Sequence, residues 1–156
     1  MAWAFMASKP EPSLRARALR LLARREHTRE QLRRKLAVHA GEGEDVTPIL
    51  DDLTQRGWLS DARFAEYTAR AKARRFGPLK LVHYLKSQGV GEEAIASGVR
   101  AAGVDGTASI EVVWRSRFSA APGNDREKAR QVRFLQGRGF SLEEIFRYLK
   151  QMETSE

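Results

Sequence analysis

Three histidines are the side chains in this sequence that most readily ligate a metal or transfer a proton near neutral pH. They are His27, His39 and His83, and none stands at a metal-ligand spacing from another histidine or a glutamate. The sequence also has no cysteine, which excludes disulfides and thiolate-bound metals. These residues therefore predict no metal site.

Pairs of acidic residues are the next candidates, because two neighbouring carboxylates can divide acid and base roles in catalysis. Such pairs occur at 44–45, 92–93 and 143–144, each at the predicted start of a short helix. The helix macrodipole favours negative charge there, so a structural role explains the pairs. The sequence also lacks a nucleophile elbow, a phosphate-binding glycine loop and a dinucleotide fingerprint. We therefore predict a binding protein rather than an enzyme, with no small-molecule substrate.

Net charge is the strongest compositional signal. The 156 residues include 28 lysines and arginines against 20 acidic residues, which gives a net charge of +8. Arginine greatly outnumbers lysine, and its planar, permanently charged guanidinium suits phosphates and carboxylates. The composition therefore favours a polyanionic partner or an acidic protein groove. A GC-rich genome is the alternative explanation, although it accounts for arginine over lysine better than for the net charge.

Sequence patterns typical of helices occur along nearly the whole chain, so helices must carry these charges. Patterns typical of strands are almost absent. Ser13 is a predicted helix cap, whereas Thr28 with Gln31 and Ser141 with Glu144 form predicted capping boxes. A long helix, a middle helix that ends in glycine and a short helix then recur three times along the chain.

These cycles predict an all-α fold of three tandem, diverged three-helix repeats. We expect the repeats at 13–59, 60–106 and 107–151, with a flexible N-terminal arm at 1–12 and a C-terminal tail at 152–156. Because each repeat buries little surface alone, neighbours must stack, which predicts an elongated curved array. The alternative is one compact nine-helix bundle, with a radius of gyration of about 15 Å.

Aromatic residues mark the junctions between the repeats. Trp58, Phe76 and Phe140 each lie next to a glycine there. We predict that they form core between repeats, and base stacking is the alternative role.

Basic residues are phased on the first, fourth and eighth predicted helices, on a face that the apolar residues leave free. The three sets are Arg17, Arg20 and Arg24; Arg63, Arg70 and Arg74; and Arg126, Arg130 and Arg133. If these faces align across the repeats, the array carries a long positive stripe. A merely solvated face would mix in acids, yet the segment at 70–75, RAKARR, contains none.

The segment at 57–90, GWLSDARFAEYTARAKARRFGPLKLVHYLKSQGV, resembles the signature of the RecX family of regulatory proteins. The resemblance is carried by the Gly–aromatic–Leu–x–Asp junction, the shared face of Phe64 and Tyr67, the basic run, Gly77 and Leu85. The flanking segments RALRLLARREHTREQLRRKL and ARQVRFLQGRGFSLEEIFRYL match the family too. The likeness therefore extends from residue 13 to residue 150.

The resemblance implies a cytoplasmic, cofactor-free protein of tandem three-helix repeats. Family members bind along the groove of the RecA–DNA filament and modulate the RecA recombinase, usually negatively, in recombination, DNA repair and the SOS response. A basic surface is expected to face the filament. The candidate contact residues are Arg70, Lys72, Arg74, Arg75, Arg24, Arg25, Arg33 and Arg34, to which helical phase adds Arg130 and Arg133. We expect a monomer that binds DNA weakly by itself and does not associate with membranes.

A direct DNA-binding protein made of helix-turn-helix units is the alternative hypothesis. The short third helix of each repeat would then be the recognition helix. The acidic starts at 92–93 and 143–144 are unfavourable beside phosphates. Salt-dependent binding to naked DNA that exceeds binding to the filament would favour this alternative.

Overall fold

The computed structural model describes residues 10–104 and 106–155, apart from the side chains of residues 106–108. Within these residues all regular secondary structure is helical, which confirms the predicted all-α fold of three-helix domains. The helices are α1 Leu14–Arg24, α2 Arg29–Ala37, α3 Thr47–Gln55, α4 Asp61–Lys72, α5 Pro78–Ser87, α6 Glu92–Ala102, α7 Gly106–Arg115, α8 Asp125–Gly137 and α9 Leu142–Thr154. Residues 1–9 of the predicted N-terminal arm lie outside the described residues.

Side-chain caps set several helix starts where the sequence predicts them. Ser13 Oγ accepts a hydrogen bond from a backbone N–H in the first turn of α1. Thr28 and Gln31 form a reciprocal capping box at α2, and Ser141 and Glu144 form another at α9. Each cap satisfies donors that the helix leaves unpaired, a contribution of about 1 kcal/mol.

The start of α3 differs from the prediction. Asp45 accepts a hydrogen bond from the Thr47 N–H at 2.9 Å, but α3 has no side-chain cap and no acidic residue in its first turn. The acidic pair at 44–45 therefore precedes α3 instead of lying in its first turn, and Asp45 still meets the helix start through the Thr47 N–H. The pairs at 92–93 and 143–144 lie in the first turns of α6 and α9, as predicted.

The C-terminal helix is longer than predicted. α9 continues to Thr154, three residues beyond the expected end of the third repeat. Residues 152–154 therefore belong to the helix rather than to a tail, and Met152 packs against the core of that repeat.

The chain divides into two compact units on either side of the link from Ser60 to Asp61. The first unit contains α1–α3 around one apolar core. Its fully buried members are Ala18, Leu32, Leu36, Leu50, Leu53 and Leu59.

The second unit contains α4–α6 and α7–α9, each with its own core. The α4–α6 core is built on Phe64, Leu81, Leu85 and Ile95. The α7–α9 core is built on Ile110, Trp114, Leu135, Phe140, Ile145 and Leu149. No helix in the described ranges is both long and apolar enough to span a bilayer.

A backbone seam joins α5 to the end of α8 within the second unit. The Gly77 N–H donates to the Arg138 carbonyl at 2.7 Å, and the Leu79 N–H donates to the Gly139 carbonyl at 3.0 Å. A Cβ at Gly77 would lie 2.7 Å from the Gly139 carbonyl oxygen, so only glycine permits this approach. The seam brings the basic end of α4 close to Arg138, which follows the last residue of α8.

Candidate functional site

Cationic side chains and aromatic rings alternate along the seam of the second unit. We call this set the cation–aromatic ladder. Its members are Tyr84, Lys72, Phe76, Lys80, Arg138, Phe134, Arg117, Phe118 and Arg130. All are partly or largely exposed, so the ladder is a surface feature that a partner can reach.

The first part of the ladder lies between the end of α4 and α5. Lys72 Nζ lies 4.4 Å from the centroid of the Tyr84 ring and 5.7 Å from that of Phe76. Lys80 Nζ lies 4.6 Å from the same Phe76 ring. One phenylalanine therefore holds two ammonium groups near its π-system.

Arg138 carries the ladder across the seam. Its guanidinium lies 6.0 Å from the Phe76 ring centroid and 5.2 Å from that of Phe134. Arg117 covers Phe134 at 5.6 Å. The second and third repeats thus contribute to one continuous array of cations.

The far end of the ladder lies between α7 and α8. Phe134 meets Phe118 edge to face, with 5.3 Å between ring centroids. Arg130 lies 6.0 Å from the Phe118 ring. The rings hold the cations in place but do not neutralise them, because an aromatic quadrupole carries no net charge.

The positive charge of the ladder has no acidic counterpart. None of its five cations, Lys72, Lys80, Arg117, Arg130 and Arg138, forms an ion pair in the part of the chain that the structure describes. Each cation–aromatic contact at a partly exposed site contributes only about 0.5–1 kcal/mol. An external anion can therefore recruit these groups at little cost.

Several predicted contact residues belong to this surface or flank it. Lys72 and Arg130 are members of the ladder. Arg74 and Arg75 follow Lys72 in the chain, and Arg133 lies on α8, and all three are exposed without an ion pair in the described ranges. Which of them contacts a partner stays a prediction.

Arg70 differs from its neighbours. Its guanidinium pairs with Glu66 one turn earlier, at 2.8 Å, and donates to the Ala101 carbonyl at 3.2 Å. The argument that the basic run has no acidic partner is therefore wrong for Arg70. The run itself contains no acid, but the helix places Glu66 at the i−4 position.

Arg33 and Arg34 of the first unit share one carboxylate. Glu30 accepts from Arg33 at 2.6 Å and from Arg34 at 3.0 Å. These hydrogen bonds lower the pKa of Glu30 to about 2. Contact of either arginine with a filament, which stays a prediction, would compete with Glu30.

Arg24 and Arg25 are both exposed at the end of α1. Arg24 forms no hydrogen bond or ion pair within the described chain. Arg25 donates to the Glu26 carbonyl at 2.8 Å and to Gln31 Oε1 at 3.3 Å. Of these two arginines, Arg24 is thus the more available to an anion.

His27 is buried, at 1% exposure. Its Nδ1 donates to the Arg25 carbonyl at 3.0 Å, which leaves Nε2 to accept from Lys35 Nζ at 3.0 Å. Burial lowers the pKa of His27 below its ordinary 6.5, and the nearby Arg25 and Lys35 charges add to this. Burial therefore favours the neutral imidazole, and the cationic neighbours favour it further.

The aromatic residues at repeat junctions divide into three cases. Phe140 is 1% exposed, which confirms its prediction as core. Phe76 is partly exposed and belongs to the ladder. Trp58 is 46% exposed, with the Arg56 guanidinium 5.3 Å from its ring. It is not part of the core of the first unit, and its role between repeats stays a prediction.

Sequence reasoning missed Lys80, Arg117 and Arg138 as members of a basic surface. None belongs to a phased set on one helix, because they come from an early turn of α5 and from residues just after α7 and α8. The available signal was the proximity of each to an aromatic residue in the chain: Lys80 to Phe76, Arg117 to Phe118 and Arg138 to Phe134. Only the fold shows that these cations share rings.

Family models match almost the whole described chain. The first three-helix domain of RecX matches residues 15–57, the second matches residues 60–98, and the third matches residues 105–149.

In the described part of the chain, no three His, Asp or Glu side chains cluster as metal ligands would.

Curated relatives and solved structures agree with these matches. Regulatory protein RecX of Leptothrix cholodnii is 39% identical over 144 residues, which cover 92% of each chain. RecX of Chromobacterium violaceum is 41% identical, over 85% of this chain and 86% of its own. The crystal structure of RecX from Lactobacillus salivarius has the same fold, with a TM-score of 0.72 at 17% identity over 90% of this chain and 95% of its own. This chain therefore belongs to the RecX family of regulatory proteins.

Proposed function

We propose that this protein modulates the RecA recombinase, most often as an inhibitor, by binding in the groove of the RecA–DNA filament. The family assignment supports a regulatory role, since the relatives are named regulatory proteins. The observation that carries the proposal is the cation–aromatic ladder, whose cations have no acidic partner within the described residues.

The chemistry of the ladder suits a nucleoprotein surface. Three of its five cations are arginines, whose planar forks bind phosphates and carboxylates in two-point contacts. Each phosphate that a cation neutralises releases a condensed counterion, which favours binding at low salt. Several modest contacts on one rigid unit add up without a deep pocket.

We further propose that the protein acts as a cytoplasmic monomer and by binding alone. Regulation of this kind requires only that the chain prefer one state of the filament over another. Lids, cofactors and a reacting side chain have no place in such a mechanism.

The proposal is tested by titrating the chain into RecA that hydrolyses ATP on single-stranded DNA. We expect hydrolysis to fall at sub-stoichiometric amounts of the chain. No effect across the titration would contradict the proposal. Tighter binding to naked duplex DNA than to the filament would favour the direct DNA-binding alternative instead.

A further inference from the structure

A second basic surface lies in the first unit, between α1 and α2. It is a groove of about 400 Å³ with a mixed lining. Its polar residues are Arg17, Arg20, Arg24, Lys35 and His39, and its apolar residues are Leu21, Leu36 and Val38. We call it the α1–α2 groove.

The arginines of the first unit differ in whether they form an ion pair. Away from the groove, five arginines meet carboxylates: Arg15 and Arg56 pair with Asp52, Arg29 pairs with Asp51, and Arg33 and Arg34 pair with Glu30. Arg25 instead donates to the Glu26 carbonyl and to Gln31 Oε1. In the groove, Arg20 and Arg24 form no ion pair or hydrogen bond within the described residues. Arg17 contacts only His39 Nε2, at 3.5 Å.

This sorting leaves like charges side by side. Arg17, Arg20 and Arg24 recur at helical spacing on one face of α1, and Lys35 faces them from α2. Like charges one turn apart destabilise a helix. No acidic residue of the described chain lines the groove, so compensation must come from outside the unit.

The apolar part of the groove lining can accommodate an apolar group of a ligand. Leu36 is fully buried at its base, Leu21 is partly exposed, and Val38 is 80% exposed at its edge. No Phe, Tyr or Trp lines it, although the His39 imidazole does, in contrast to the four Phe and Tyr rings of the ladder. Nucleotide bases bind by stacking on rings, whereas aliphatic side chains of a peptide fill an aliphatic floor.

We propose that the α1–α2 groove docks a short acidic peptide segment of a partner protein, with an aliphatic side chain seated on Leu21, Leu36 and Val38. Carboxylates of the segment pair with Arg17, Arg20 and Arg24, in the two-point geometry that guanidinium groups favour. The site is distinct from the ladder and does not depend on the function proposed above.

The probe for this site is a short fluorescein-labelled peptide with two adjacent leucines flanked by glutamates. Its anisotropy is measured against the full chain at moderate salt. Two control peptides replace either the leucines by serines or the glutamates by glutamines. We expect each control to bind at least about tenfold more weakly, equivalent to about 1.4 kcal/mol.

Charge variants of the chain show where the peptide binds. R20E/R24E should lower the affinity for the leucine–glutamate peptide by at least about tenfold. The matched control, R29E/R56E, makes the same charge change at paired arginines and should stay within about twofold of the wild type. Circular dichroism checks that both variants fold. The affinity of the milder variant R20Q/R24Q should lie between those of the two charge-reversal variants.

Three results would overturn the proposal. The serine peptide could bind as tightly as the leucine peptide, which would mean that charge attraction alone accounts for the binding. Both charge-reversal variants could lose affinity equally, which would place the peptide elsewhere. An oligothymidylate of equal charge could displace the peptide from the wild type but not from R20E/R24E, which would make the groove a nucleic-acid site.

Discussion

Gly98 of α6 lies directly against the backbone of Ala62 in α4. A Cβ at position 98 would stand 2.5 Å from the Ala62 carbonyl oxygen and 2.5 Å from the Ala65 Cβ. Glycine inside a helix is costly unless another helix approaches closely, and here that approach is observed. The pair sets the distance between the two helices that frame the second repeat.

Replacing Gly98 with alanine should destabilise the second unit. The added methyl group cannot avoid backbone atoms, and overpacking of this kind costs about 1–3 kcal/mol. Urea unfolding measures the loss. Gly137→Ala is the control, because a Cβ there meets nothing within 4 Å and alanine favours the helix by up to about 1 kcal/mol. A neutral Gly98→Ala would refute the close packing.

His27 should make folding stability depend on pH. Its folded pKa lies below the ordinary 6.5, so the unfolded chain takes up a proton first as the pH falls. Stability from the neutral imidazole is therefore complete above pH 6.5 and declines as the pH falls towards the folded pKa. The slope reaches at most about 1.4 kcal/mol per pH unit.

Urea unfolding of the wild type and His27→Gln at pH 7.5 and pH 5.5 tests this dependence. Glutamine stays neutral at both values, so its loss between them should be the smaller of the two. The exposed His39→Gln should keep the wild-type dependence. Equal losses for the wild type and His27→Gln would contradict the buried neutral imidazole.

Gln131 should be required for the core of the third repeat. It is 5% exposed, accepts from Trp114 Nε1 at 2.8 Å and donates to the Ala120 carbonyl at 3.1 Å. Gln131→Met keeps the volume but leaves the indole N–H and the carbonyl unpaired. We expect a loss of about 1–3 kcal/mol in thermal or urea unfolding, whereas Gln136→Met on the exposed face should change stability by less than about 0.5 kcal/mol.

Local signals in the sequence predicted the helices and several of their starts. Capping boxes such as Thr28 with Gln31 act within one turn, so four residues of sequence contain the whole interaction. The ladder depends instead on side chains that are far apart in the chain. Lys80 and Arg138 share the Phe76 ring only because the Gly77 seam brings α5 to the end of α8.

The electrostatic predictions failed where a carboxylate one helical turn away pairs with the arginine. Helical phase placed Arg70 on a basic face, yet Glu66 one turn away neutralises it. The same reasoning could not distinguish Arg33, which is paired with Glu30, from Arg24, which is not. Charge phase identifies a face, whereas the availability of each charge depends on its actual neighbours.

We propose that the cation–aromatic ladder binds the RecA–DNA filament. Affinity for preassembled filaments, measured by interferometry, should fall at least about tenfold in K80Q/R117Q/R138Q. The control R15Q/R56Q/R147Q removes three cations that are paired with carboxylates, and it should stay within about twofold of the wild type. Equal affinities of the two folded variants for the filament would contradict the account.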